Sequence, residues 1–242
     1  MIKKYSFFLE KYTHKSLNDK FWTNYQLDSG VRKKLIKIAK DFYKSLGIDL
    51  EIQGIKLTGS LANFNYTENS DLDVHIMVDF SQYDGDDKVL EDMMKSKAFI
   101  WNLKHDINIR GADVELYIQD INEKHTSTGL FSLTDNKWIK KPEYTDPEVD
   151  EDDVRVKYNR WVYDITKLKE GLNENLSDEE YSDYSNRVEK LKIKLRNLRK
   201  KGLQEEGEFS TENVVFKKLR NNGFIDTLYD IGYKYYDRMF SQ

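Results

Sequence analysis

Residues 57–78 read LTGSLANFNYTENSDLDVHIMV, and this stretch decides the fold. It opens as the end of one strand, breaks at Gly59-Ser60, passes a turn-rich segment from Asn63 to Ser70, and enters a second strand over Asp71–Phe80. Side chains alternate faces along a strand. Leu72, Val74, Ile76 and Val78 therefore share one uniformly apolar face, which must be the core, while Asp71, Asp73, His75 and Met77 share the other. Two carboxylates two residues apart on an open face suit a pair of divalent cations. Upstream, Gly59 lets backbone approach closely, and Ser60 offers a hydroxyl and an N–H where a phosphate can sit.

Outward from this stretch, Val31, Leu35, Ile38, Phe42 and Leu46 recur at helical spacing and Gly47 is a natural stop. Glu51–Thr58, with Ile52, Ile55 and Leu57, predicts the first strand. Asp84–Asp87 precedes a helix expected from about Lys88 to Lys104. A third strand is expected over Asp113–Gln119, where Asp113, Glu115, Tyr117 and Gln119 oppose Val114, Leu116 and Ile118. Gly129–Ile139 reads as a hairpin turning at Thr134–Lys137.

From Glu143 to Asp153 seven of eleven residues are acidic and none is basic, and Pro142 and Pro147 lie at or inside this run, so it predicts a linker. Beyond it everything is helical. Tyr158, Trp161, Ile165, Leu168 and Leu172 form one stripe. Ser177 and Glu180 form a capping box ahead of a second stripe through Tyr181, Tyr184, Val188, Leu191, Leu195 and Leu198. The two stripes predict an antiparallel helical hairpin. A helix over Thr211–Arg220 should stop at Asn221-Asn222-Gly223, and a last one runs from Phe224 to about Met239. The expected division is residues 1–142, a linker at 143–153, and a helical domain at 154–242.

The chain has 242 residues, enough for a substantial core, and no cysteine, which excludes disulfides and thiolate metal sites. The formal net charge of −4 supplies no global basic field for nucleic acid. Residues 187–201 do hold eight basic side chains and one acidic, read as the solvated face of a packed helix before a phosphate-binding one. The Met1–Glu10 start is too short in its apolar run for a signal peptide, and no stretch approaches the roughly 20 apolar residues of a membrane span. A soluble, cytoplasmic protein is expected. The four histidines lack zinc-site spacing. His75 is expected as a surface or supporting residue, and His125, with Ser127 and Thr128, as part of an ordinary turn.

Residues 57–78 resemble the nucleotidyltransferase superfamily of polymerase beta. The ten residues between Ser60 and Asp71 are similar to the spacing in its small antibiotic- and toxin-type members, and the resemblance covers about residues 31–119. It implies an α/β (α+β) fold: a mixed sheet flanked by helices, followed here by a C-terminal helical domain. It implies transfer of NMP from an NTP to a hydroxyl acceptor (RNA, protein or small molecule) with release of pyrophosphate. Mg²⁺ or Mn²⁺ would be the cofactor, Asp71 and Asp73 its ligands, and the NTP phosphates would lie near Gly59 and Ser60. A third carboxylate would join the metal site and help activate the acceptor hydroxyl; Glu115 fits that slot best, with Asp113 as rival. Ser70–His75 and Val114–Gln119 are also similar to nucleotidyltransferase-like proteins of tailed phages, which would make the host cytoplasm the setting. Many small members follow Gly-Ser with Ala-Arg-Gly, whereas this chain has Ala62-Asn63-Phe64, lacking a basic phosphate partner and a glycine. That departure favours the alternative, a binding or scaffold module without turnover; the retained carboxylates favour the enzyme.

Overall fold

The computed structural model describes residues 13–125, 127–145, 147–172 and 176–240, so the Met1–Glu10 start lies outside it. The chain divides into two compact units, Met1–Asp146 and Pro147–Gln242, with the boundary inside the acidic run. Among the described residues no helix is long and apolar enough to cross a membrane.

The first unit is mixed α/β. A small hairpin, β1 (Trp22–Thr23) and β2 (Gln26–Leu27), turns through Asn24 and Tyr25 at positive φ and precedes helix α1 (Ser29–Ser45). There follow β3 (Ile52–Thr58), β4 (Leu72–Val78), α2 (Asp87–Lys104), β5 (Asn108–Ile109), β6 (Ala112–Asp120), β7 (Leu130–Ser132) and β8 (Lys137–Lys140). The six-stranded sheet runs β5-β6-β4-β3-β7-β8, and its one parallel pair, β4 with β6, is bridged by α2.

Burial fixes this arrangement. Leu72, Val74, Ile76 and Val78 are fully buried with Leu116, Ile55 and Leu57 in one core that also takes Leu35, Phe42, Leu90 and Met94 from α1 and α2. Each such side chain stabilises by roughly 1.5–3 kcal/mol, and a slip of one residue in β4 would expose all four while burying Asp73. Asp28 caps α1 by accepting from the N–H groups of Gly30 and Val31. Asp86 does the same for Lys88 and Val89, which starts α2 one residue before the expected Lys88. Asn102 of α2 pairs both ways with the backbone of Leu116, each at 3.0 Å, and so satisfies the edge that β6 presents beyond short β5. Arg32 ties α1 to the β7–β8 turn through the carbonyls of Leu133 and Thr134.

The face opposite the core is open only at one end. Met77 and Gln119, expected on it by alternation, do point that way but are buried, so the exposed part centres on Asp71, Asp73, Glu115 and Tyr117.

The second unit is helical: α3 (Glu151–Gly171), α4 (Asp178–Glu205), α5 (Thr211–Asn221) and α6 (Phe224–Phe240). The acidic run is in part a helix start rather than a linker. Asp150 caps α3, and Glu151, Asp152 and Asp153 occupy its first turn, where the helix dipole favours negative charge. The expected capping box at Ser177 and Glu180 forms. The expected hairpin is modified: α3 and α4 touch, but each packs chiefly against α5 or α6, and the joining residues 173–175 lie outside the description. Tyr235 of α6 is buried between them, donating to the Leu168 carbonyl at 3.0 Å and stacking on Tyr184.

Candidate functional site

Strand register orders the open face of the first unit into rows. Thr58, Asp73 and Glu115 lie level across β3, β4 and β6, and Lys56, His75 and Tyr117 form the next row, which Ser132 of β7 extends. Glu115 is thus the direct partner of Asp73. Asp113 lies beyond the β4–β6 ladder, pairs with Asn108 of β5 and accepts a hydrogen bond from its side-chain amide. Asp71 immediately precedes β4.

Gly59 sits against Asp73 so closely that a Cβ there would lie 1.8 Å from Oδ2 and 2.7 Å from Cγ, and its φ of +76° is left-handed as well. Only glycine brings the turn's backbone to this carboxylate. Ser60 donates to the Ser70 hydroxyl at 2.7 Å, and Ser70 also accepts from the Thr67 N–H, so the turn is tied to the residue just before Asp71.

The turn is backed by core. Leu61 and Ala62 are buried, the Leu61 carbonyl accepts the Trp22 indole N–H at 2.7 Å, and a Cβ on Gly129 would fall 1.9 Å from the Ala62 carbonyl oxygen. Asn63 donates to the Thr128 hydroxyl, and buried Phe64 meets Tyr25 and Tyr144 edge-on. The two departures from the Ala-Arg-Gly pattern are therefore committed to holding the turn in place.

Electrostatically the carboxylates converge on Tyr117. Its hydroxyl donates to Glu115 Oε2, and partial burial, together with that hydrogen bond and the charges of Glu115, Asp73 and Asp71, holds the phenol above its ordinary pKa. His75 donates from Nδ1 to Gln119 at 2.8 Å; burial lowers its pKa, with a smaller contribution from Lys56. His125 is not an ordinary turn residue, for its Nε2 lies 3.0 Å from the Lys56 ammonium. Burial first, then Lys56 and His75, hold it down to about 4, so it is neutral near pH 7. Lys56 escaped the sequence reading; its only signal was a basic residue between core-facing Ile55 and Leu57. A cleft of about 600 Å³ opens beside this face, lined by His75, Glu115, Tyr117 and Gln119 of the sheet and by Phe99 and Leu103 of α2.

Carboxylate oxygens are hard donors of the kind Mg²⁺ and Mn²⁺ take. Among the described residues no group of three or more His, Asp or Glu side chains is gathered closely enough to hold a metal ion, and Glu115 is engaged by Tyr117. Mg²⁺ is commonly held by one or two carboxylates, the rest of its shell being water and substrate phosphate. Asp73 and Glu115, level on neighbouring strands, fit that requirement with Asp71 beside them.

In α4 the basic stretch splits. Lys192 is buried beside Tyr229 and Gly232, and Arg199 lies over Phe216, whereas Arg187, Lys190, Lys194 and Lys201 are exposed. No protein-family model matches the chain, and no curated protein or solved structure matches it.

Proposed function

We propose that the first unit is a metal-dependent nucleotidyltransferase that moves NMP from an NTP to a hydroxyl acceptor. The observation that carries this reading is the Asp73–Glu115 pair, level on parallel strands, with Gly59 packed against the Asp73 carboxylate. The mixed sheet with its helices, which the resemblance to the polymerase beta superfamily implies, supports it.

Asp73 and Glu115, with Asp71 beside them, would hold Mg²⁺ or Mn²⁺, the rest of the ion's shell coming from water and substrate phosphate. Bound there, the ion supplies charge neutralisation at the triphosphate and makes the acceptor hydroxyl more acidic. Gly59 and Ser60 admit the phosphates to backbone N–H groups, and to the Ser60 hydroxyl once it releases its hydrogen bond to Ser70. The acceptor oxygen forms a bond to the α-phosphorus as the bond to the bridging oxygen breaks and pyrophosphate leaves. Glu115 takes the acceptor's proton, for which Tyr117 must give up its hydrogen bond. Neutral His75, fixed by Gln119, keeps the floor of the cleft free of further positive charge.

The test is Mg²⁺-dependent pyrophosphate release from each of the four NTPs, with a cell extract as acceptor source. The wild type should release pyrophosphate, and Asp71→Asn with Asp73→Asn should not. A double variant that still transfers nucleotide excludes these residues. The engagement of Glu115 by Tyr117 favours a second reading, a nucleotide-binding module without turnover. It predicts NTP binding strengthened by Mg²⁺ but no pyrophosphate.

A further inference from the structure

The open face carries a cation that the scheme above does not use. Lys56 is the only Lys or Arg in β3, β4 and β6, and it is half-buried. Its ammonium donates to an imidazole nitrogen, and among the described residues it joins no ion pair with a carboxylate. A partly buried charge without a counter-charge is costly, and such charges are ordinarily paired. Its neighbours do not relieve that cost: His125 is neutral, His75 is held by Gln119, and Ser132 and Tyr117 of the same row are uncharged. Burial accordingly lowers the lysine's own pKa.

The missing partner is an anion. Lys56 stands one row from Thr58, Asp73 and Glu115, about 7 Å along β3, on the strand that runs into Gly59-Ser60. Lysine binds phosphate as a compact point charge. Asn63, where a basic residue would otherwise follow the turn, is taken up by Thr128. We infer that Lys56 is the cationic end of a polyphosphate subsite, displacing its hydrogen bond from His125 onto the phosphate oxygens of a nucleoside triphosphate's tail. Only the identification of the polyphosphate as an NTP rests on the transferase reading.

Calorimetry on the full chain with inorganic tripolyphosphate, in EDTA and in Mg²⁺, with adenosine as control, tests this. Lys56→Gln should weaken tripolyphosphate binding about 10- to 100-fold in both conditions, as expected for a lost hydrogen bond to a charged group. Lys56→Arg should recover most of it, adenosine binding should be unchanged, and the thermal midpoint should not fall. In the wild type, tripolyphosphate should also raise the NMR titration midpoint of His125, since the imidazole exchanges a cation for an anion nearby; a purely structural lysine would leave it unmoved. Equal tripolyphosphate affinity in wild type and Lys56→Gln overturns the inference, even if Mg²⁺-dependent pyrophosphate release is found. Conversely, Lys56-dependent tripolyphosphate binding that Mg²⁺ does not strengthen, with no pyrophosphate release, sinks the transferase reading and leaves this one standing.

Discussion

At Gly59 two constraints coincide, a left-handed φ and a carboxylate where a Cβ would go. Gly59→Ala should destabilise the unit by about 1–3 kcal/mol from backbone strain alone and should push Asp73 off its position, abolishing Mg²⁺-dependent NTP binding. Denaturant unfolding of Gly59→Ala in wild-type and Asp73→Ala backgrounds separates the two: part of the penalty should vanish in the second, and an equal penalty in both removes the contact from the account. His125 gives a pH signature. Its folded pKa of about 4 lies below the ordinary 6.5, so as pH falls the unfolded chain takes up the proton first. Its stabilising contribution is complete above about pH 6.5 and is lost as pH falls towards 4. The urea midpoint should drop between pH 7 and 4.5, and drop less in His125→Gln; an NMR midpoint near 6.5 for His125 contradicts this. Gly59, Ser60, Asp71 and Asp73 were legible in the sequence as candidates because the pattern they form is local. Lys56 and His125 were not, since 69 residues separate partners that only the fold brings together.

At the level of elements, alternation told which side chains of β4 and β6 share a face but not which are level. The parallel register, set by the α2 crossover and the burial of Leu72 beside Val114, supplies that. Glu115→Gln should lower kcat by on the order of 10²–10⁴, the range for a lost general base, while Asp113→Asn, whose carboxylate serves Asn108 at the sheet's edge, should have little effect. Steady-state rates of the two decide it: a damaging Asp113→Asn beside a mild Glu115→Gln would mean that the acceptor is activated beyond the ladder's end. The helices were legible from their caps and stripes. What composition hid was purpose. The run 143–153 looked like a linker because acidic residues suit both solvent and a helix start, and the basic run in α4 looked like one face although Lys192 and Arg199 turn inward.

On the scale of the whole molecule, the two units bury separate sets of side chains. The core of the first joins Leu35, Leu72, Leu90 and Phe131, whereas Trp161, Ile165, Val188, Leu195, Val215, Leu228 and Tyr235 are buried within the second. Gly59, Ser60, Asp71, Asp73, Glu115, Lys56 and His125 all belong to the first. Each unit is long enough to fold on its own core, and the division falls between the end of β8 at Lys140 and the start of α3 at Glu151. Residues 1–146 expressed alone should therefore unfold cooperatively and bind NTP with Mg²⁺ as the full chain does, while 147–242 should give a helical circular-dichroism spectrum and no NTP binding. If 1–146 folds yet binds NTP at least tenfold more weakly than the full chain, the assignment of the nucleotide site to the first unit is overturned.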